Sequence, residues 1–316
     1  MKALEVEAVA PATSANLGAG FDVFGVALDS PFDSVRVKVV EGADIKISVK
    51  GVGAELIPVE PQRNTAGVVA QALLKFSKKR CGLSIEIRKG IKPGAGLGSS
   101  AASAAAAALA INEVLELSLS RMKLIEFAAQ GEIASGGTPH ADNVSPAILG
   151  FFTIVKSYNP LEVVQMPPPK NIEFVIAVPE IFKGSTALMR SILPKRVRIS
   201  ELIHNVGHAA SFIAGIALND VNLMGKGMTD VVVEPARAKL IPGAADVRKS
   251  ALEAGASGVS ISGAGPSILA LVKSDKDKVE SVAKAMQEAF EKHGIRSQIL
   301  HAKPGPGARI VRRKEL

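Results

Sequence analysis

Residues 92–110 restrict the possible folds of this chain more than any other segment. Three glycines stand at alternate positions, and two serines and an alanine-rich run follow them, in the order KPGAGLGSSAASAAAAALA. The preceding residues alternate between apolar and polar side chains, through Leu83, Ile85 and Ile87, which predicts a strand. The segment therefore predicts a strand, a glycine-rich loop and a helix whose small residues let it lie close to a sheet.

Such a loop exposes consecutive backbone N–H groups at the N-terminus of a helix, which favours a bound phosphate. The spacing matches neither GxxxxGK[ST] nor G-x-G-x-x-G, so a glycine-rich turn without a ligand remains the alternative. Ser99 and Ser100 supply hydroxyls for a phosphate oxygen or for magnesium. The residues of this candidate phosphate loop are Pro93, Gly94, Ala95, Gly96, Leu97, Gly98, Ser99 and Ser100.

Two more segments of small residues interrupt the strand pattern, PATSANLGAGFD at 11–22 and SGAGPS at 262–267. In the first, Asn16 can donate to a hydroxyl and Asp22 can accept from an ammonium group. Each segment alone is equally well explained as a turn. Three of them in one chain point to a binding site built from loops.

The remaining pattern alternates strands and helices. A short connection at 41–44 predicts a hairpin between the strands on either side of it, and helices are predicted near 64–79, 120–133 and 276–293. A long helix is expected over 200–222, and the prolines at 167–169 are the best candidate for a linker. This order predicts an α+β architecture with helices on one face of the sheets.

The formal net charge of +8 is concentrated at one end, because residues 303–316 carry half of it. Without an accompanying aromatic stripe, a solvated basic tail is the simpler interpretation and no nucleic-acid partner is expected. One cysteine excludes a disulfide framework within the chain. Neither a leader peptide nor an apolar run of membrane-spanning length is apparent, so a cytoplasmic protein without a membrane partner is expected.

Taken together and in order, the three loops resemble the motifs of the GHMP small-molecule kinases. The PATSANLG…FD form of the first motif is similar to the members that act on homoserine, whereas the galactose and mevalonate branches carry a basic version. The resemblance implies a two-lobed fold, with an N-terminal mixed β/α ATP-binding domain (1–160) and a C-terminal ferredoxin-like α/β sandwich (161–316). It also implies a homodimer.

The resemblance also assigns site residues. Ser100 and Glu132 would hold Mg²⁺, and Arg190 and Arg237 would bind the carboxylate of an amino acid. The remaining implied contacts are Asn64 in the adenine pocket, Asp22, His140 and Gly263 to the substrate, and Asn16, Asn143 and Thr186 near the accepting hydroxyl. Glu132, Asn16 and Asn143 form the implied catalytic set.

The implied activity is ATP-dependent phosphorylation of the side-chain hydroxyl of L-homoserine, giving O-phospho-L-homoserine in threonine biosynthesis. A kinase for another small alcohol such as mevalonate is one alternative, and a non-catalytic nucleotide- or amino-acid-binding regulator of the same fold is another. A nucleic-acid binder acting through the basic tail is the third.

Overall fold

The computed structural model describes residues 4–136, 139–181 and 186–315. The strands are β1 (Leu4–Asn16), β2 (Gly20–Val40), β3 (Ile45–Gly51), β4 (Gly82–Lys89), β5 (Phe152–Tyr158), β6 (Leu161–Met166), β7 (Ile172–Pro179), β8 (Gly258–Ile261), β9 (Ile268–Lys273), β10 (Ser297–Ala302) and β11 (Arg309–Glu315). The helices are α1 (Thr65–Ser77), α2 (Ser99–Val114), α3 (Arg121–Gly131), α4 (Ile133–Gly136), α5 (Val144–Leu149), α6 (Thr186–Ser191), α7 (Ile199–Leu218), α8 (Val221–Lys226), α9 (Glu234–Ala238), α10 (Ala244–Glu253) and α11 (Lys276–Glu291).

Seven strands form the first sheet, in the order β11-β1-β2-β4-β3, with β5 paired to the start of β2 and β6 paired to β5. Helix α2 packs against β1 and β2, between α1 and α3. Seven alanines of this helix are fully buried, namely Ala101, Ala102 and the five from Ala104 to Ala108. Alanine side chains allow this helix to approach the sheet and its neighbouring helices closely, as the sequence predicts.

The hairpin predicted at 41–44 is wrong. Strand β4 lies between β2 and β3, and it pairs antiparallel with β2 and parallel with β3. The apolar side chains of β4, from Leu83 to Ile87, are almost fully buried, whereas those of β3 are only partly covered. Burial of the more apolar strand therefore places β4 inside the sheet and leaves β3 at its edge.

The second sheet is antiparallel, in the order β10-β7-β9-β8, and α10 and α11 pack on one of its faces. Its other face joins the core of the first sheet through three phenylalanines. The ring of Phe152 lies 6.3 Å from that of Phe174 and 6.1 Å from that of Phe212. This shared core fixes the two lobes against each other and confirms the predicted α+β, two-lobed architecture.

One further expectation needs correction. The helix predicted over 200–222 is interrupted, because Asn219 adopts a left-handed conformation (φ 56°) and Asp220 caps the separate helix α8. The basic tail contains β11, an edge strand whose backbone pairs with β1, and its basic side chains are exposed as expected. Strand β6 also belongs to the first sheet, so sheet membership changes between Met166 and Ile172, and the division at residue 160 stays a prediction.

Candidate functional site

The three glycine-rich segments meet at one place. We call residues 11–22 the first loop, 92–100 the second loop and 262–267 the third loop. The backbone N–H of Thr13 donates to Leu97 O over 3.1 Å, and Ser262 Oγ donates to Gly96 O over 2.7 Å. The N–H of Gly263 closes the set by donating to Ala15 O over 3.1 Å. Together with α6 and α9, the loops enclose a cavity of about 310 Å³.

The second loop requires its glycines. Gly94, Gly96 and Gly98 have φ values of 74°, 84° and 62°, which disfavour any residue with a side chain. A Cβ on Gly96 would lie 2.5 Å from Ser262 O, and one on Gly98 would lie 1.9 Å from Thr13 Oγ1. The loop lines the cavity immediately before α2, so its backbone N–H groups and the positive end of the helix suit a phosphate.

A hydroxyl and a carboxylate lie together beside this loop. Ser100, in the first turn of α2, donates from Oγ to Glu132 Oε2 over 3.0 Å. Glu132 follows the last turn of α3 and is only 7% exposed. Both residues line the cavity, so the structure brings together the pair that the sequence resemblance joins.

The opposite end of the cavity is rich in charge. Arg190, on α6, forms a bidentate ion pair with the carboxylate of Asp22, and its Nη1 lies 3.5 Å from His140 Nε2. The ring centroid of Phe21 lies 5.3 Å from the guanidinium carbon of Arg190 and 5.2 Å from that of Arg237. The aromatic ring therefore stabilises both cations.

Arg237 is the more deeply placed arginine, at 4% exposure. Its Nη1 donates to Gly263 O over 2.9 Å, and its buried Nε has no hydrogen-bond partner among the described residues. Burial lowers the pKa of this guanidinium, and the charge of Asp22 opposes the shift. A buried cation with an unused donor is well suited to bind an anionic group of a ligand.

The carboxyl of Asp142 lies in the same end of the cavity. Burial raises its pKa to about 7, and the negative charge of Asp22 contributes to the increase. Burial also lowers the pKa of His140, although Asp22 opposes this. Tyr158 donates from its hydroxyl to Asp22 O over 2.8 Å and fixes the end of the first loop, where Asp22 itself has a φ of 58°. Strained backbone of this kind is common at functional sites.

Two asparagines stand between the phosphate loop and the charged end. Asn16 donates from Nδ2 to Gly263 O over 2.8 Å and accepts from the N–H of Asp22. Asn143 accepts from Thr13 Oγ1 over 2.7 Å, and nothing in the described part of the chain accepts from its Nδ2. The amide of Asn16 is therefore engaged in joining two loops, whereas that of Asn143 keeps a donor for a ligand.

Comparison with known proteins agrees with this geometry. Residues 64–151 match the family model for the GHMP kinases N terminal domain, and residues 212–292 match the model for the GHMP kinases C terminal. A homoserine kinase of Methanocella arvoryzae is 46% identical over 97% of this chain and 97% of its own length. One from Methanococcus maripaludis is 43% identical over 97% of this chain and 98% of its own length.

This chain belongs to the GHMP kinase family, among the homoserine kinases. The crystal structure of homoserine kinase from Cytophaga hutchinsonii superposes with a TM-score of 0.91 at 38% identity, covering 97% of both chains. A mevalonate kinase from L. major, crystallised with R-mevalonate, gives a TM-score of 0.73 at 16% identity over 94% of this chain and 95% of that one. The second likeness shows the shared fold alone. The prediction of an ATP-dependent small-molecule kinase is confirmed.

The residues beside the second loop fit the Mg²⁺ that kinases of this kind imply. Within residues 4–136, 139–181 and 186–315, no group of three or more His, Cys, Asp or Glu side chains could hold a metal alone. Mg²⁺ is commonly bound by one or two carboxylates, with phosphate oxygens and waters completing the octahedron. Ser100 and Glu132 supply the protein oxygens that such a shared site needs.

Two of the expected contacts in the GHMP kinase site stay predictions. Asn64 lines the cavity, where its side chain caps α1 by accepting from the N–H groups of Ala66 and Gly67 and donates to Pro58 O. The side chain of Thr186 lies outside the described residues. Phe21 and Tyr158 were not found from the sequence, because a single aromatic residue in a loop or strand carries no motif.

Helices of the described residues offer no candidate for a membrane span, since none combines the necessary length with the necessary apolar character. The prediction of no nucleic-acid partner is not tested by the GHMP kinase relatives and stays a prediction. The same holds for the expected cytoplasmic location.

Proposed function

We propose that this GHMP kinase transfers the γ-phosphoryl group of ATP to the side-chain hydroxyl of L-homoserine, giving O-phospho-L-homoserine and ADP. The observation that carries the proposal is the polarity of one cavity. A phosphate-binding loop lies at one end, and two arginines with two aspartates lie at the other. The homoserine kinase relatives support the same substrate.

At the phosphate end, the second loop binds the phosphates of ATP through its backbone N–H groups. Ser100 and Glu132 would hold Mg²⁺, which would supply charge neutralisation at the phosphates. Phosphoryl transfer depends mainly on positioning and on electrostatic stabilisation, because its transition state is largely dissociative. The N-terminus of α2 supplies part of this stabilisation at the γ-phosphate.

At the acceptor end, Asn143 Nδ2 orients the homoserine hydroxyl, and Asn16 holds the first loop in place around it. The hydroxyl oxygen forms the new bond to phosphorus as the bond to the ADP oxygen breaks, and the hydroxyl proton passes to solvent water. We assign no carboxylate as general base. Asp142 Oδ1 accepts from the N–H of Asn143 over 3.0 Å, which makes it a support for that residue.

The amino-acid end selects a zwitterion by exchange of partners. Arg190 and Asp22 form an ion pair with each other at this end of the cavity. The substrate carboxylate replaces Asp22 at Arg190 and also takes the free donor of Arg237, while its ammonium replaces Arg190 at Asp22. His140 and the backbone at Gly263 complete this contact surface. Mevalonate has a carboxylate but no ammonium, so its binding would leave Asp22 unpaired, which disfavours that alternative.

We also propose that the enzyme works in the cytoplasm, in threonine biosynthesis, and as a homodimer. One face of α7 supports the dimer, because Ile199, Ile203 and Val206 are 71%, 66% and 59% exposed there. Large exposed apolar side chains in a row commonly mark an interface. A second copy of this chain is the occupant that matches the face best.

The order of large and small residues along α7 explains why this face can pair with the same face of a second copy. Its exposed side carries large apolar residues as far as Val206, and the small residues Gly207, Ala210 and Ala217 follow them on the same side. An antiparallel pair related by a two-fold axis places large residues against small ones. The same arrangement places the exposed Arg196 and Arg198 beside Asp220 and the negative C-terminal end of the partner helix.

The test of the proposed activity is release of ADP from Mg·ATP on addition of L-homoserine, with the phosphorylated product identified by mass spectrometry. The non-catalytic alternative predicts ATP binding without release of ADP.

A further inference from the structure

A charged network lies beneath the phosphate loop and involves Asp33, which no sequence motif includes. Asp33 is on β2 and is fully buried. Its Oδ1 accepts from the backbone N–H groups of Gly90 and Ile91, over 3.0 Å and 3.1 Å. Its Oδ2 accepts from Ser103 Oγ on α2 over 2.9 Å. One carboxylate therefore holds the start of the chain segment leading into the second loop and the helix that follows the loop.

Lys89 is the partner of this carboxylate. Its side chain is 1% exposed and its ammonium group contacts Asp33 Oδ2 directly. The same nitrogen donates to Ser99 O and to Ser103 Oγ, each over 2.8 Å. All three ammonium donors thus have acceptors, and two of the acceptors lie in the first turns of α2.

The network reaches the ligand cavity. Lys89 and Ser103 line it together with the second loop, and Ser99 returns a hydrogen bond from Oγ to Ile91 O over 3.0 Å. Burial lowers the pKa of Lys89, while Asp33 and, to a smaller extent, Glu132 oppose this shift. The ammonium thus contacts a structural carboxylate and also feels the charge of the carboxylate beside the phosphate loop.

A buried ion pair is an expensive way to stabilise a fold, since apolar residues of similar size often serve as well or better. This network anchors the second loop by hydrogen bonds and places a cation at the cavity wall. Apolar side chains could provide neither. We propose that Asp33 and Lys89 are positioning residues for phosphate binding. Asp33 fixes the second loop and the first turn of α2 in the conformation that receives phosphate, and it holds the Lys89 cation at the floor of that site.

The proposal rests on the proposed function in taking the phosphates of ATP as the occupant. Its test is therefore a binding measurement, isothermal titration with Mg·ADP and with Mg·ATP, which does not require turnover. Asp33→Asn keeps the size of the side chain and an oxygen for Gly90 and Ile91, but removes the charge opposite Lys89. We expect the Kd of both nucleotides to rise about tenfold or more, with a homoserine KM changed less than about twofold.

Lys89→Met alone leaves a buried carboxylate without its cation and can fail to fold. The double variant Asp33→Asn/Lys89→Met removes both charges and leaves no buried charge unpaired. Its nucleotide affinity can therefore be measured. We expect the double variant to fold and to lose nucleotide affinity at least as strongly as Asp33→Asn. Lys89→Arg keeps a cation at this position, so we expect it to lose less affinity than the double variant. Arg36→Met is the control, because Arg36 lies on the same strand with a side chain that is 31% exposed and bonds to Glu7.

A purely structural role predicts a lower melting temperature with unchanged nucleotide Kd in Asp33→Asn and in the double variant, and that result would overturn the proposal. The same holds if Arg36→Met weakens nucleotide binding as much as Asp33→Asn does. Failure of the proposed function is distinguishable, because the wild-type protein would then bind nucleotide without phosphorylating homoserine.

Discussion

Asn16 and Arg237 donate to the same acceptor, the backbone carbonyl oxygen of Gly263, over 2.8 Å and 2.9 Å. The first residue belongs to the first loop and the second belongs to α9, so the third loop connects the phosphate side of the cavity to its charged end. This connection explains why three short segments far apart in sequence form one site. It also makes Arg237 a link between the charged end and the third loop.

Arg237→Ala is expected to raise the homoserine KM by about 10–100-fold, because it removes a charge-assisted hydrogen bond to the substrate carboxylate. The turnover number and the ATP KM should change much less. Steady-state kinetics with each substrate varied in turn measure the difference. Arg313→Ala, on the exposed strand β11, is the matched control. An unaltered homoserine KM would remove Arg237 from the substrate site.

Glu132→Gln is expected to reduce kcat by about 100-fold or more, because the amide is a much poorer Mg²⁺ ligand than the carboxylate. The Mg²⁺ concentration needed for half-maximal rate should also rise. Glu126→Gln, at a half-buried position of α3 where the side chain pairs with Lys123, should leave both quantities unchanged. Unchanged turnover in the Glu132 variant would contradict its assignment to the metal.

The buried carboxyl of Asp142 predicts a particular dependence of stability on pH. Burial raises its pKa from the ordinary 3.8 to about 7, so the folded protein holds a proton that the unfolded chain has already lost between these values. The resulting contribution to stability is complete below about pH 3.8 and is lost as the pH rises through about 7.

Asp142→Asn should therefore show a shallower decline of the melting temperature than the wild type over that pH range. Burial also raises the pKa of Glu234 to about 7, but this group is present in both proteins and its effect cancels in the difference. Parallel curves for the two proteins would show that the carboxyl is ionised in the fold throughout.

The exposed face of α7 predicts the oligomeric state. Size-exclusion chromatography with light scattering should give twice the chain mass of 32.8 kDa for the wild type. Ile203→Asp should give the mass of one chain, because a carboxylate would be buried in the apolar contact. Val311→Asp, at a residue of β11 that is 49% exposed, should remain dimeric. A monomeric wild type, or a dimeric Ile203 variant, would exclude this face as the interface.

The sequence predicts those parts of the molecule where a local pattern determines local structure. The second loop is an example, since the positive φ at positions 94, 96 and 98 favours glycine and the alanines allow α2 to be buried. Strand order depends instead on burial over long distances, so the placement of β4 between β2 and β3 could not be read from the short connection at 41–44.

The same difference applies to the site. The loops and the two arginines carry recognisable patterns, whereas Asp33 is one acidic residue in a long strand and becomes informative only beside Lys89. The ion pair between Arg190 and Asp22 joins residues 168 positions apart. The sequence resemblance assigned these two residues to opposite charges of the substrate and gave no sign that they pair with each other.

The central claim is the choice of substrate, and a coupled assay of ADP release tests it most directly. Mg·ATP is supplied with L-homoserine, L-serine, L-threonine, mevalonate or galactose in separate reactions, and kcat/KM is compared among them. We expect the highest value for L-homoserine, with O-phospho-L-homoserine as the product. ADP release with mevalonate and none with homoserine would contradict the account.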